Sequence, residues 1–179
     1  MRIISGTLRG KKLFTPCDMS VRPTTDRARE SLYNILNSKL STSMEELTVL
    51  DIFSGSGAFG LEAASRGAKT VTFIDKDLTL TQKNATLCGF KNLSFIKKDA
   101  TKLSPAPKAY DLIFLDAPYN QGLTEKVLIT LLTGNWCHTE TLLIAETEKS
   151  EELTIPDKLE LIDDRTYGIA RFRFLKLHI

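Results

Sequence analysis

From residue 48 onward the chain repeats one pattern, a short apolar run followed by a stretch of helical periodicity, and this alternation leaves few folds open. The runs are Thr48 to Phe53, Thr70 to Ile74, Leu93 to Ile96, Asp111 to Leu115 and Leu142 to Ala145. Ala58 to Arg66, Leu78 to Cys88 and Leu123 to Leu132 fall between or after them, and each reads as an amphipathic helix. Strands alternating with helices in this way specify a parallel sheet wound with helices. The end of the chain breaks the pattern. Leu159 to Ile162 and Ile169 to Leu177 are separated only by Asp163-Asp164-Arg165-Thr166-Tyr167-Gly168, a connection too short for a helical crossover, so these two strands must be antiparallel.

The expected fold is therefore α/β and Rossmann-like: a seven-stranded, mostly parallel sheet ending in an antiparallel hairpin. Its 179 residues suit one compact domain. Ahead of the sheet, residues 1 to 14 alternate loosely around Gly6 and Gly10 and suit a short hairpin. Arg22-Pro23-Thr24-Thr25-Asp26 then supplies a turn with candidate N-caps. Ala28, Leu32, Ile35, Leu36 and Leu40 follow as a helical stripe. The division expected is a basic hairpin and helix extension over 1–40, packed on a core over 41–179.

Charge separates the same two regions. Residues 1–40 hold eight Lys or Arg against three acids, a local +5, whereas the remainder holds sixteen against nineteen, or −3. A basic arm on an otherwise acidic chain is suited to meeting a polyanion. Cys17, Cys88 and Cys137 are too widely spaced for a zinc site, and neither His138 nor His178 joins a ligand cluster, so reduced thiols and no metal are expected. The N-terminus lacks the apolar core of a signal peptide and no later run is long enough to span a bilayer, which predicts a cytoplasmic protein without a membrane partner. A monomer is the simplest expectation.

The first core strand leads into Asp51-Ile52-Phe53-Ser54-Gly55-Ser56-Gly57-Ala58-Phe59-Gly60, so Gly55, Gly57 and Gly60 satisfy G-x-G-x-x-G at a strand-to-helix turn. Such glycines let backbone approach a ligand and let the helix pack on its strand. Asp75 closes the second strand, where a carboxylate accepts both hydroxyls of an adenosine ribose. A dinucleotide and S-adenosylmethionine fit these features equally well, and Asp51 separates them. Its carboxylate repels a pyrophosphate but suits an ammonium and a sulfonium. Asp99 follows the third strand, where it and the Ala100 N–H are placed to read an adenine edge; Phe53 is counted with the loop as cofactor-binding. Asp77 reads as the cap of the next helix.

The fourth strand delivers Asp116-Ala117-Pro118-Tyr119 to the same sheet edge. An exocyclic base amine is a poor nucleophile because its lone pair is delocalised into the ring. Hydrogen bonds from its two N–H groups to the Asp116 carboxylate and the Ala117 carbonyl draw the nitrogen towards tetrahedral geometry and free that pair. With the reference carboxyl pKa of about 3.9, Asp116 is expected to be ionised at neutral pH. Pro118 restricts Ala117 to an extended conformation, and Tyr119 offers a ring for stacking on the base. The chain thus reads as an S-adenosylmethionine-dependent amine methyltransferase, and the antiparallel ending agrees, being common in methyltransferases. Adenine-N6 or cytosine-N4 methylation of DNA uses similar tetrapeptides, but the chain offers no obvious target-recognition domain. A nicotinamide-dependent oxidoreductase is disfavoured by Asp51, and a catalytically weak RNA-binding relative by the intact Asp116 and Tyr119.

Arg2-Ile3-Ile4-Ser5-Gly6 with Arg9-Gly10, Arg22-Pro23-Thr24-Thr25-Asp26-Arg27-Ala28-Arg29-Glu30, the glycine loop and Gly60-Leu61-Glu62-Ala63 together resemble the RsmD family. That resemblance implies an enzyme methylating N2 of one guanine in small-subunit (16S) ribosomal RNA, within an assembled or partly assembled small subunit. It also implies that the basic segment contacts rRNA, with Arg2, Arg9, Lys11, Lys12, Arg22 and Arg27 as the candidate residues. One position departs from the family pattern. The family has Asp-Pro-Pro followed by Tyr or Phe, and here Ala117 replaces the first proline. Since the role assigned there belongs to a backbone carbonyl, activity is expected to persist with less stiffness at that point.

Overall fold

The computed structural model describes residues 1–15, 26–40 and 42–178. Seven strands form one sheet: β1 (Thr48–Ile52), β2 (Thr70–Asp75), β3 (Leu93–Lys97), β4 (Tyr110–Asp116), β5 (Cys137–Glu148), β6 (Leu159–Tyr167) and β7 (Ala170–Leu177). Four helices accompany them: α1 (Asp26–Lys39), α2 (Ala58–Ser65), α3 (Thr79–Cys88) and α4 (Leu123–Thr133). The strand order is β3-β2-β1-β4-β5-β7-β6, with β1 to β5 parallel and β7 antiparallel to both β5 and β6. This is the α/β architecture read from the alternation of runs.

Two apolar layers cover the sheet. Leu61 and Ala63 of α2, with Leu78 at the start of α3 and Ala85 within it, lie on one face with Ile3, Leu13, Leu32 and Leu36, while Val127, Leu128 and Leu131 of α4 cover the other. The arm and α1 therefore share a core with the sheet. They also alter α2, which sequence periodicity makes amphipathic: every residue from Phe59 to Ser65 is buried, because the arm lies over the face that would otherwise meet water. The arm itself is a hairpin-like excursion with one antiparallel bridge between Arg2 and Lys12, reinforced where Gly10 N–H donates to the Ile3 carbonyl at 2.8 Å.

The final hairpin corrects one expectation. Asp163 to Gly168 was expected as the connection, yet β6 runs on through Tyr167 and only Gly168 and Ile169 remain for the turn. Pairing across the strands explains this: Asp164 opposes Arg173 in register, and the Arg171 guanidinium holds the Asp164 carboxylate at 2.6 Å. Charged residues can occupy a solvent-facing edge strand, so the polar composition that suggests a loop marks an edge here. Residues 16–25, with Arg22 and the candidate caps Thr24 and Thr25, lie outside the described residues, and Asp26 is the first residue of α1.

Chain order sets the position of the site. From β1 the chain moves outward through α2 to β2 and through α3 to β3, then returns to place β4 on the other side of β1. The reversal opens a crevice at the carboxyl ends of β1 and β4, where open α/β sheets bind ligands. Asp51 is the penultimate residue of β1 and Asp116 the last of β4, on neighbouring strands.

Candidate active site

A cavity of about 710 Å³ occupies that crevice. Asp51, Phe53, Gly55, Asp75 and all four residues Asp116-Ala117-Pro118-Tyr119 line it. Lys76, just after β2, and Gln121, Leu123 and Ile169 line it as well. Met1 and Arg29 also contribute, so the N-terminal segment forms part of the wall. The volume is ample for a drug-sized ligand.

The glycine loop is held from three sides. The Asp51 carboxylate, 2% exposed, accepts the Gly60 N–H at 2.9 Å, and Asp75 accepts the Gly55 N–H at 2.9 Å. From α3, the Thr81 hydroxyl donates to the Gly55 carbonyl at 2.8 Å and the Asn84 amide to the Ser56 carbonyl at 2.9 Å. Thr81 and Asn84 escaped sequence reading because polar residues on a helix are ordinarily solvated. Gly57 and Gly60 lie behind the wall and serve packing: at Gly60 a Cβ would sit 2.4 Å from the Phe73 ring, so only glycine lets α2 lie this close to β2. Phe53 carries the unexpected strain, with φ of 58° in the left-handed region. Such a conformation in a residue with a side chain costs about 1–3 kcal/mol and persists where the surroundings impose it.

Asp99 and Ala100 do not line the cavity. The Asp99 carboxylate takes both the N–H and hydroxyl of Thr101, at 3.0 and 2.8 Å, and an ion pair from Lys76 at 3.2 Å. These hydrogen bonds hold its carboxyl down, at about 2. Asp77, expected as the cap of α3, lies one residue ahead of the N-cap Leu78 and instead accepts the Thr79 N–H at 3.0 Å and its hydroxyl at 2.6 Å in a local turn.

The electrostatics of the cavity run the other way. Burial pushes the Asp51 carboxyl up to about 8, against the Gly60 hydrogen bond, with the Asp75 charge adding to the rise. Asp116 is raised well above the ordinary carboxylate range, first by burial, then by Glu146 and Asp51. This corrects the expectation of a carboxylate ionised at its reference value: three acids converge here, and among the described residues none donates a hydrogen bond to Asp116. Tyr119 donates its hydroxyl to Glu146 at 2.9 Å, and burial together with Glu146, Asp116 and Glu148 pushes its phenol up. Buried carboxyls raised in this way favour a ligand carrying positive charge.

Of the basic residues named for RNA contact, Arg2, Arg9, Lys12 and Arg27 are exposed, Lys11 is half-buried, and Arg22 lies outside the described residues. Arg2 pairs with Asp26 at 3.4 Å. Arg29, which sequence reading left unassigned, is buried and donates to the Arg2 carbonyl at 2.6 Å and to Asp26 at 3.0 Å, joining the arm to α1. Among the described residues no group of three or more His, Cys, Asp or Glu could hold a metal ion, and no helix is long and apolar enough to cross a membrane.

A doubly wound sheet ending in an antiparallel pair, with carboxylates at the ends of β1, β2 and β4 around one crevice, defines a Rossmann-like methyltransferase. The solved structure of yhhF from Escherichia coli superposes with a TM-score of 0.85 at 33% identity, covering 99% of this chain and 97% of that one. The family described as "Conserved hypothetical protein 95" matches residues 1–176. Ribosomal RNA small subunit methyltransferase D of Haemophilus influenzae is 36% identical over 97% of this chain and 92% of its own length, and that of Escherichia coli K12 is 34% identical over 97% and 88%. The chain belongs to this family, RsmD.

Proposed function

We propose that this protein transfers a methyl group from S-adenosylmethionine to the exocyclic N2 of one guanine in small-subunit (16S) ribosomal RNA. The observation that carries the reading is that one cavity joins the strand-end acids Asp51 and Asp75 to the whole of Asp116-Ala117-Pro118-Tyr119. The names of the relatives support ribosomal RNA of the small subunit as the substrate. The choice of guanine N2 rests on the family resemblance, and an assembled or partly assembled subunit is part of the same proposal.

The cavity suits the donor chemically. Asp75 is placed for ribose hydroxyls, Asp51 for an ammonium group, and the loop from Phe53 to Gly55 for close backbone approach. In this reading Asp99 and the Ala100 N–H lie toward the adenine edge, with Asp99 pairing Lys76 of the cavity wall at 3.2 Å. When bound, S-adenosylmethionine supplies an electrophilic methyl on a positively charged sulfur. Asp116 would then hold the carboxylate form its role requires, since a neighbouring positive charge favours ionisation. Asp116 and the Ala117 carbonyl then accept the two N–H groups of the amine. Pro118 aims that carbonyl, and Tyr119, held through its hydroxyl, presents a ring to the base, a contact worth about 1–3 kcal/mol. Alignment of the bound reactants provides much of the acceleration.

Residues 1–40 act in this proposal as the basic RNA-contacting extension and residues 41–179 as the catalytic core, in a cytoplasmic monomer. Labelled methyl transfer to naked rRNA, assembled subunits and DNA, with the modified base mapped, tests the reading. The expected product is N2-methylguanine in small-subunit rRNA. Methylation of DNA alone, or binding of NAD in place of S-adenosylhomocysteine, would overturn it. Asp116→Ala should keep cofactor binding and lose most transfer.

A further inference from the structure

Where α1 meets α2, the cavity wall holds a cation that the proposed chemistry leaves unused. Tyr33 of α1 donates its hydroxyl to the Phe59 carbonyl at 2.7 Å, and the two rings stack with centroids 5.2 Å apart. This fixes α1 against the first turn of α2. Arg29 stands one turn before Tyr33 on the same face of α1, and it lines the cavity with Ser56, Ala58 and Phe59.

The guanidinium of Arg29 is only partly engaged. Arg29 is 3% exposed, and a guanidinium carries five N–H donors. Nη2 donates to the Arg2 carbonyl at 2.6 Å and to Asp26 at 3.0 Å, an acid that also pairs with Arg2. Among the described residues, Nε and Nη1 have no hydrogen-bond partner. Buried donors in this state are costly until an acceptor arrives. The start of α2 beside them is in a similar condition. Its N-cap is Gly57, which makes no side-chain cap bond, and no acid stands in its first turn. Gly60 donates to Asp51 at 2.9 Å, whereas the N–H groups of Ala58 and Phe59 have no acceptor within the helix. The positive end of a helix dipole, with free N–H groups, draws an anion.

We infer that Arg29 and the start of α2 form an oxyanion seat for the carboxylate of the methyl donor, whose ammonium group lies on Asp51. This rests on the donor reading above. The two protein charges do not satisfy each other: Arg29 pairs with Asp26, and Asp51 accepts a backbone amide. An acid and an unfilled guanidinium around one glycine loop match the two ends of an amino acid. A phosphate of the RNA is the other source of an oxyanion. It carries chain on both sides, and so meets a recessed guanidinium less readily than a carboxylate, which ends its molecule.

Two ligands test the seat: S-adenosylhomocysteine and its decarboxylated analogue, which keeps the amine and lacks only the carboxylate. Calorimetry at pH 7 measures both affinities. The acids of the cavity by themselves favour the analogue, the more cationic of the two, so a preference for the carboxylate form reports the seat. The wild-type protein should bind S-adenosylhomocysteine about 10- to 100-fold more tightly than the analogue. Arg29→Gln keeps a donor for the Arg2 carbonyl and should cut that preference to about threefold or less. A purely structural Arg29 would weaken both ligands alike and leave the preference intact, which overturns the inference. Loss of RNA affinity with the preference intact overturns it as well, and assigns Arg29 to a phosphate. The wild-type measurement decides even if the variant does not fold: a tenfold preference supports the seat, and equal binding of the two ligands refutes it. Binding of neither ligand would remove the donor reading itself, and the inference with it.

Discussion

The carboxylate of Glu62 receives the backbone N–H of Ile4 at 2.6 Å. It sits fully buried in α2, and also accepts the Ser5 N–H at 2.9 Å and the Arg66 guanidinium at 2.8 Å. One side chain thus ties the arm to the helix that follows the glycine loop. Glu62→Ala leaves two amides and Arg66 without an acceptor and should destabilise the protein by roughly 3 kcal/mol. Urea unfolding measures this; a loss below about 1 kcal/mol would show that water replaces the carboxylate.

Stability should also depend on pH through Asp51. Its ordinary value of 3.8 applies in the unfolded chain, and its folded value is about 8. Between these limits the folded protein keeps a proton that the unfolded chain has released. Stability is therefore greatest at the low end of the window and falls as pH rises through about 8. From pH 6 to 8 the fall should be about 2 kcal/mol, or roughly 4–8 °C in Tm. Asp51→Asn should reduce the slope, leaving the part due to Asp116, and bound S-adenosylmethionine should flatten it. An unchanged slope in Asp51→Asn would locate the titration elsewhere.

Ala117 offers a gain-of-function test. Its side chain is buried at 2% exposure, and it lies just past the end of β4. Ala117→Pro restores the family pattern and stiffens the carbonyl. Removing backbone freedom is worth about 0.4–1 kcal/mol, so kcat should rise about two- to fivefold if that restraint acts in the transition state. A lowered kcat under single-turnover conditions would mean that alanine suits this cavity better.

Charge reversal at Arg9, Lys11 and Lys12 probes the arm. Filter binding across a salt series should show weaker RNA affinity and a shallower salt slope, since fewer phosphates are neutralised. The affinity for S-adenosylhomocysteine should stay constant. Undiminished RNA binding would shift the RNA contact away from the arm.

Sheet composition was legible because five runs of apolar residues alternate with helices, and a buried parallel strand must be apolar on both faces. Strand ends were less so: β5 reads as Leu142 to Ala145 but extends from Cys137 to Glu148, and β6 carries its charges outward, where they look like loop. In the site, acids at strand ends announced Asp51, Asp75 and Asp116. Glu146 had one usable signal, an acid directly following an apolar run, but register with Asp116 is a property of pairing and no local pattern encodes it. Glu62 and Asn84 looked like ordinary helix surface because their partners lie 58 and 70 residues away. Asp99 shows the converse, a strand-end acid whose hydrogen bonds are spent on Thr101 and Lys76.

Gly6 meets α2 backbone to backbone: a Cβ there would fall 1.8 Å from the Ser65 carbonyl oxygen, whereas at Gly10 it would meet nothing within 4 Å. The arm is thereby anchored by a contact that contains no side chain. Apart from Arg2, which pairs with Asp26, its exposed basic residues can be exchanged, one charge at a time, without loosening the seat. A new RNA surface can evolve on a platform whose height above the catalytic floor does not change.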